Sequence, residues 1–538
     1  MAIEGFRVSP QQQHLWSLQQ ADQSTVYRSH CAVLIEGKVE TSALEGAVRK
    51  VWNRHEILHT AFRCLPGIDA PLQVITDGDG LSLNSYNLSG CDSLQQEDRL
   101  EALCDESNQL PFDFDHGRLS HVALVALSPA THLLLISLSS LCADNASLRN
   151  VVRDISVVYA ARMSSEQIDD PSEQYADLAE WQNELLESED AKAGKDYWRG
   201  QNFYAFNTLK LPGEIQFFGK TPEFQPRALA STIDATSWAK IAKLAIEYDA
   251  SSSVFLMACW QILLWRLSAE SDFIVGIACD GRNYEGLQET VGPFAKYLPL
   301  RCHLEGNLQF REILRRVDEA TREALEWQEY FSWEYLAGSN GDRNAPPFVA
   351  ASFEFYEPPP KYSAADLTFT IRAQHSCTDR FKLKLSCVQR EDLLSAELHY
   401  DSNLFRAGDI GRLNEQFLTL LESAVTNPEA PINELEILSD PQRRQLVVEF
   451  NDTRTDDAND KSIHRLFEEQ VERTPLGVAV VFEQQRLNYA ELNARANQLA
   501  HHLRAVGVGP GVLVAICLER SLEMVVGLLG VRPRNITG

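Results

Sequence analysis

At 538 residues the chain is too long for one hydrophobic core, and length alone suggests roughly three or four units. A formal net charge of −27 argues against nucleic acid and anionic membrane as partners, since both reward basic patches. Eleven cysteines stand singly, with no CxxC pair and an odd count, so they read as buried or free thiols in a reducing cytoplasm, not as a disulfide framework or a metal site.

The opening "MAIEGFRVSPQQQ" lacks a basic start followed by an apolar run, so no signal peptide is expected. "TSALEGAVRKVWNRHEILHTAF" carries Leu44, Val48, Val51 and Trp52 at helical spacing. "HVALVALSPATHLLLISLSSLCA" is the most apolar region, but Pro129 and two histidines interrupt it too often for a membrane span. Its "HLLLISL" run reads as a strand buried on both faces. "ASLRNVVRDISVVYAARM" follows as a helix whose start Asn145 or Ser147 would cap, so residues 136–148 form a strand–loop–helix joint.

A second cycle begins near residue 225. "SWAKIAKLAIEYDASSSVFLMACWQILLWRL" predicts two helices and "DFIVGIACD" a strand, and the alternation throughout is that of an α/β fold. Two lobes are expected, at about 1–175 and 225–440. "NDTRTDDANDKS" is polar without apolar periodicity and reads as a linker, placed within 441–462. Beyond it come two amphipathic helices and two short strands, "VAVVF" and "LVAIC".

Several segments, in order, resemble the condensation domain of nonribosomal peptide synthetases. "SPQQQHLW" is similar to SxAQxRLW, with His14 for the arginine, and "RHEILHTAF" to RHExLRTxF, with His59 for another. "YADLAEW" resembles YxDFAxW, and "WQEYFSWEYL" echoes HQDYPFExL. "VGPFAKYLPLR" follows IGxFVNTxxxR with Ala295, Lys296 and Tyr297 where Val-Asn-Thr is usual. Both replacing histidines read as exposed helix or loop residues. The matches span residue 6 to about 440. Residues 463–530 resemble the start of an adenylation domain, and 531–538 diverge from it. The family's phosphate-binding loop and catalytic lysine are missing from this sequence, so ATP-dependent activation is not expected of it. Truncation of a longer synthetase is one reading, with 461–538 expected to pack poorly.

The resemblance implies an α/β fold of two chloramphenicol-acetyltransferase-like lobes in a V, plus a partial α/β adenylation fragment. It also implies carrier-protein partners that present thioesters on phosphopantetheine arms, alongside other synthetase modules, with no cofactor of the chain's own. At the strand–loop–helix joint the family carries HHxxxDG, and this chain reads Ser139-Ser140-Leu141-Cys142-Ala143-Asp144-Asn145. Ser140 therefore occupies the catalytic histidine's place. Imidazole suits proton transfer near neutral pH, whereas a serine hydroxyl is no base and becomes a nucleophile only beside one. His132 lies eight residues back, about 26 Å along an extended strand. His501-His502 sits on an amphipathic helix without an accompanying aspartate, and Cys142 reads as an inert buried thiol.

The resemblance implies that Asp144 is the family's structural aspartate and that Arg282 in "CDGRNYEGL" is its partner from the second lobe. Without that partner, Asp144 reads as a carboxylate favoured by a helix N-terminus. Catalysis is left open. One reading is a condensation-type acyl or aminoacyl transferase with an altered centre. The other is a silent platform that docks carrier proteins or a tailoring enzyme. Heterocyclization, whose DxxxxDxxS motif would match Asp144 and Ser147 but not Ser139, is a lesser alternative. A serine hydrolase lacks its GxSxG elbow.

Overall fold

The computed structural model describes residues 5–22, 25–67, 70–78, 81–164, 173–203, 209–217, 223–284, 286–336, 346–390, 393–452, 462–509 and 511–531. Most of the expected linker (453–461) and the divergent tail (532–538) lie outside them. The chain divides into two compact units, Met1–Arg443 and Arg444–Gly538.

The first unit is built on two six-stranded sheets. One runs in the order Tyr362–Ala364, Leu367–Ser376, Arg28–Glu36, Thr131–Ser139, Ser120–Ser128, Ser82–Asn87. The "HLLLISL" run is in the Thr131–Ser139 strand, which is buried at every position from Leu134 to Ser139, so its apolar residues do not alternate. Helix Thr41–Arg54 lays Leu44, Val48, Val51 and Trp52 into the core, and Trp52 Nε1 donates to Ser120 Oγ at 3.0 Å. Helix Asn145–Ser164 follows the joint as expected, but neither Asn145 nor Ser147 caps it. The Asp144 carboxylate accepts from Ser147 N at 2.8 Å and takes that place.

The other sheet runs Lys296–His303, Asp272–Cys279, Ala351–Tyr356, Leu383–Arg390, Leu393–Asp401, Pro226–Ile233. Helix Ser252–Ser268 is buried continuously from Val254 to Leu264, and helix Ala235–Glu247 packs beside it. The two sheets are not contiguous in sequence. After Ala351–Tyr356 the chain leaves the second sheet, pairs Leu367–Ser376 with Arg28–Glu36 in the first, and returns at Leu383. Residues 362–376, within the stretch expected to form the second lobe, thus complete the first sheet. Most pairings in both sheets are antiparallel, so the alternation of helices and strands reflects mixed α/β layers rather than a run of parallel crossovers.

Residues Asp440–Arg444 are helical and Gln445–Glu449 form a π-helical turn, within the stretch expected to be a linker. The second unit holds helices Ile463–Arg473, Tyr489–Ala505 and Leu522–Gly530 and a hairpin of Val478–Phe482 with Gln485–Asn488. "LVAIC" is not a strand. It has no neighbouring strand among the described residues, so no ladder satisfies its backbone, and Leu513 is 99% exposed. Among the described residues no single helix is long and apolar enough to cross a membrane.

Candidate functional site

The strand Thr131–Ser139 delivers the joint into the first unit's interior, where Ser139 and Ser140 are buried at 1% and 0% exposure. Ser140 N donates to Tyr27 O at 3.1 Å and Ser139 N to Leu119 O at 3.0 Å, so the backbone is pinned from two neighbouring segments. Ser140 Oγ lies 3.3 Å from Ser29 Oγ, which also hydrogen-bonds Ser376 and donates to Ala143 O at 2.6 Å. The result is a knot of three hydroxyls. Among the described residues no imidazole, carboxylate or amine bonds to Ser140 Oγ, so nothing there would make it a nucleophile.

Asp144 is brought together with Arg282 across the two sheets. The guanidinium is bidentate, Nη1 to Oδ2 at 2.8 Å and Nη2 to Oδ1 at 2.9 Å, with both side chains at 3% exposure or less. The carboxylate also accepts from Ser147 N and Ser147 Oγ at 2.8 Å and from Phe294 N and Ala295 N at 3.0 Å. Burial alone would push its pKa up, but the Arg282 charge and these donors hold it below the ordinary aspartate value. Ser147 Oγ, the third position of the heterocyclization pattern, is committed to Asp144 and to Gly292 O at 2.7 Å.

Sequence segments far apart close on this point. Tyr175 OH donates to Pro293 O at 3.0 Å and lies within hydrogen-bond distance of Ser9 Oγ at 2.7 Å, and Gln12 Nε2 donates to Leu141 O at 2.9 Å. A Cβ on Gly292 would stand 1.9 Å from the Tyr175 ring, which is why glycine is needed there. Cys142 is fully buried and its thiol is pushed up by burial, as expected of an inert cysteine.

The two histidines expected at the surface are inside. His14 is 6% exposed, bonded through Nε2 to Asp379 Oδ1 at 3.0 Å and stacked on Trp333 at 3.6 Å. His59 is 9% exposed, with Nδ1 2.7 Å from Thr76 O. His501 and His502 are exposed on helix Tyr489–Ala505.

A cavity of about 130 Å³ adjoins the joint, bordered by Asp144 and Ser376 from one sheet's side and by Tyr297 and Glu354 from the other. Glu354 accepts from Tyr297 OH at 2.7 Å and faces Lys384 Nζ at 3.1 Å. Burial would raise its pKa, but the Lys384 charge beside it holds it at about 2. This buried trio escaped the sequence reading because its members come from three strands that no motif connects. Its signals in the sequence are the departure at Tyr297 and the alternation of polar with apolar residues in "ASFEFY" and "LKLSC". Among the described residues no group of three or more His, Cys, Asp or Glu could hold a metal ion.

Residues 4–447 match the condensation-domain family and residues 467–533 the AMP-binding enzyme family. A linear gramicidin synthase of Brevibacillus parabrevis is 32% identical over 540 residues, 97% of this chain and 10% of that protein. Gramicidin S synthase 2 of Brevibacillus brevis is 29% identical over 98% of this chain and 12% of its own length. The chain thus spans about a tenth of the curated relatives it matches. Among solved structures, the X-domain of teicoplanin biosynthesis in complex with OxyB superposes with a TM-score of 0.69 at 23% identity, covering 82% of this chain and 97% of that one. The first condensation domain of the calcium-dependent antibiotic synthetase gives 0.68 at 18%, covering 81% and 99%. At these identities the likeness is one of fold.

Proposed function

From the premise that the chain belongs to the condensation-domain family, we propose that its first unit processes acyl and aminoacyl thioesters carried on the phosphopantetheine arms of carrier proteins, within a nonribosomal peptide assembly line. The reaction is amide-bond formation. An amine attacks the thioester carbonyl, the C–N bond forms, the C–S bond breaks, and the amine's proton ends on the departing sulfur. The observation that carries this reading is the Asp144–Arg282 pair, which keeps the joint locked between the sheets beside a cavity although the imidazole is gone. Ser140 acts as a structural hydroxyl within the knot, and acceleration comes from holding the two reactants together. General acid–base help is worth about 10²–10⁴-fold, so the catalyst is slow by comparison with a histidine-bearing one.

A second reading is a silent platform docking carrier proteins or a tailoring enzyme. It is favoured by the full burial of Ser140, which does not border the cavity beside the joint, and by the likeness in fold to an X-domain solved with a partner enzyme.

The test loads carrier proteins with donor and acceptor groups and compares wild type with Ser140→Ala, Ser140→His and Asp144→Ala. Product from wild type, kept to within about threefold in Ser140→Ala, supports proximity catalysis. A loss of about 10²-fold or more in Ser140→Ala would make the hydroxyl chemical and sink it. No product from wild type, with turnover gained by Ser140→His, establishes the platform.

A further inference from the structure

A larger cavity of the first unit, about 450 Å³, lies between the strands Arg28–Glu36 and Leu367–Ser376 of one sheet and Leu383–Arg390, Leu393–Asp401 and Pro226–Ile233 of the other. A row of imidazoles runs along it. The His30 and His375 ring centroids are 5.5 Å apart, and His375 stacks on His399 at 5.0 Å with 12° between planes. His375 is the register partner of His30, as Ser376 is of Ser29. Because neighbouring residues on a strand point to opposite faces, the imidazoles face away from the hydroxyl knot that Ser29 and Ser376 form with Ser140. The row is therefore a separate feature.

Its hydrogen-bonding capacity is unspent. His30 Nδ1 and His399 Nε2 make no hydrogen bond, nor does either amide atom of Gln374, which borders both cavities. His399 is only 6% exposed, and its Nε2 stands 3.5 Å from Glu397 Oε2. Burial, reinforced by the Arg28 or Lys384 charge, holds all three rings below the ordinary histidine value, so at neutral pH each offers one N–H and no charge.

The charge comes from arginine. Arg28, Arg227 and Arg390 border the cavity against one carboxylate, Glu397, in a chain of net charge −27. Arg28 is 4% exposed, and its donors go to the carbonyls of Thr25, Ser107 and Leu110. None of the three arginines has a carboxylate within ion-pair distance among the described residues. A buried cation without a counter-ion is costly, and a carboxylate ligand would offset that cost with charge-assisted hydrogen bonds. The volume falls in the range of small-molecule sites.

We propose that this cavity binds the anionic end of the substrate, a carboxylate carried on the acyl or aminoacyl group, between the arginine guanidinium groups and the imidazole N–H groups. The assignment rests on the thioester reading above and deepens it by naming the substrate's chemical class.

The test is calorimetric titration of the full chain with two pantetheine conjugates, one amide-linked to succinic acid and the other to succinamide, its neutral isostere, with inorganic phosphate as a competitor. The acid should bind about tenfold or more tightly than the amide. In the Arg227→Gln/Arg390→Gln double variant the two should bind alike, and circular dichroism should show an unchanged fold because both side chains are exposed. Equal affinities in wild type, or no binding of either conjugate at millimolar concentration, would overturn the proposal. Displacement of the succinyl conjugate by phosphate at comparable affinity would also overturn it, by reassigning the site to a phosphate group. The readout is binding, so discrimination without turnover sustains the pocket and counts against the thioester reading. Turnover without discrimination does the reverse.

Discussion

Asp144 takes hydrogen bonds from Arg282, Ser147 and two backbone amides while wholly buried, so removing its charge strands a guanidinium in the interior. Asp144→Asn keeps the shape and should cost about 3–5 kcal/mol, read as a lower urea midpoint. Arg282→Met should cost a similar amount, and the double variant less than the sum of the two. The pH dependence has a definite sign. A carboxyl depressed by folding contributes its stability above the ordinary aspartate value and loses it as pH falls, so the gap between wild type and Asp144→Asn should be full at pH 7 and narrow below about pH 4. A gap that widens in acid would show that the pair is not what holds the joint. Gly292→Ala, with its Cβ 1.9 Å from the Tyr175 ring, should destabilise by about 1–3 kcal/mol or more, and Tyr175→Leu should relieve part of that loss. The Asp144–Arg282 partnership was legible because both residues sit in matched motifs. The interior seats of His14 and His59 were not. A single substitution in a motif shows that the side chain changed, not that Asp379, Trp333 or Thr76 waits beside it.

At the scale of elements, the segment after Tyr356 decides how the two sheets are tied together. Leu367–Ser376 bonds along Arg28–Glu36, with a register shift between Ile371 and Ala373, and its last residue, Ser376, joins the hydroxyl knot. Ladder amides exchange with the sheet they belong to. Hydrogen exchange should therefore find residues 367–376 protected together with 28–36 and 131–139, and not with Ala351–Tyr356, which precedes them in sequence. Protection that instead tracks 351–356 would place the strand in the second sheet. Periodicity predicted strands and helices well here, as in Thr41–Arg54 and Asp272–Cys279, because each buries one side or both against a regular layer. It is silent on which sheet a strand joins, since an alternating pattern is the same in either. "LVAIC" failed for a related reason, because apolar composition gives a segment a preference for burial but no partner to pair with.

Across the whole molecule the two units differ in how much apolar surface they enclose. The first unites large cores behind two sheets, with side chains such as Trp260, Phe255 and Trp52 almost fully buried. The second buries Leu487, Leu492 and Leu522 in its small cluster and leaves Leu476 and Leu513 at 84% and 99% exposure. Cores this small rarely supply more than about 3–5 kcal/mol, so the second unit should open well before the first. The helices Tyr489–Ala505 and Ser252–Ser268 make a fair comparison, each of 17 residues with a side-chain N-cap. Intrinsic propensity favours the alanine-rich Tyr489–Ala505, so its earlier exchange would report what each helix packs against. In urea below the main transition of the full chain, amides of Tyr489–Ala505 should exchange while those of Ser252–Ser268 stay protected, and the exchange should leave the Asp144–Arg282 joint intact. Equal protection of the two helices up to the main transition would mean that the second unit draws stability from contacts beyond its own cluster.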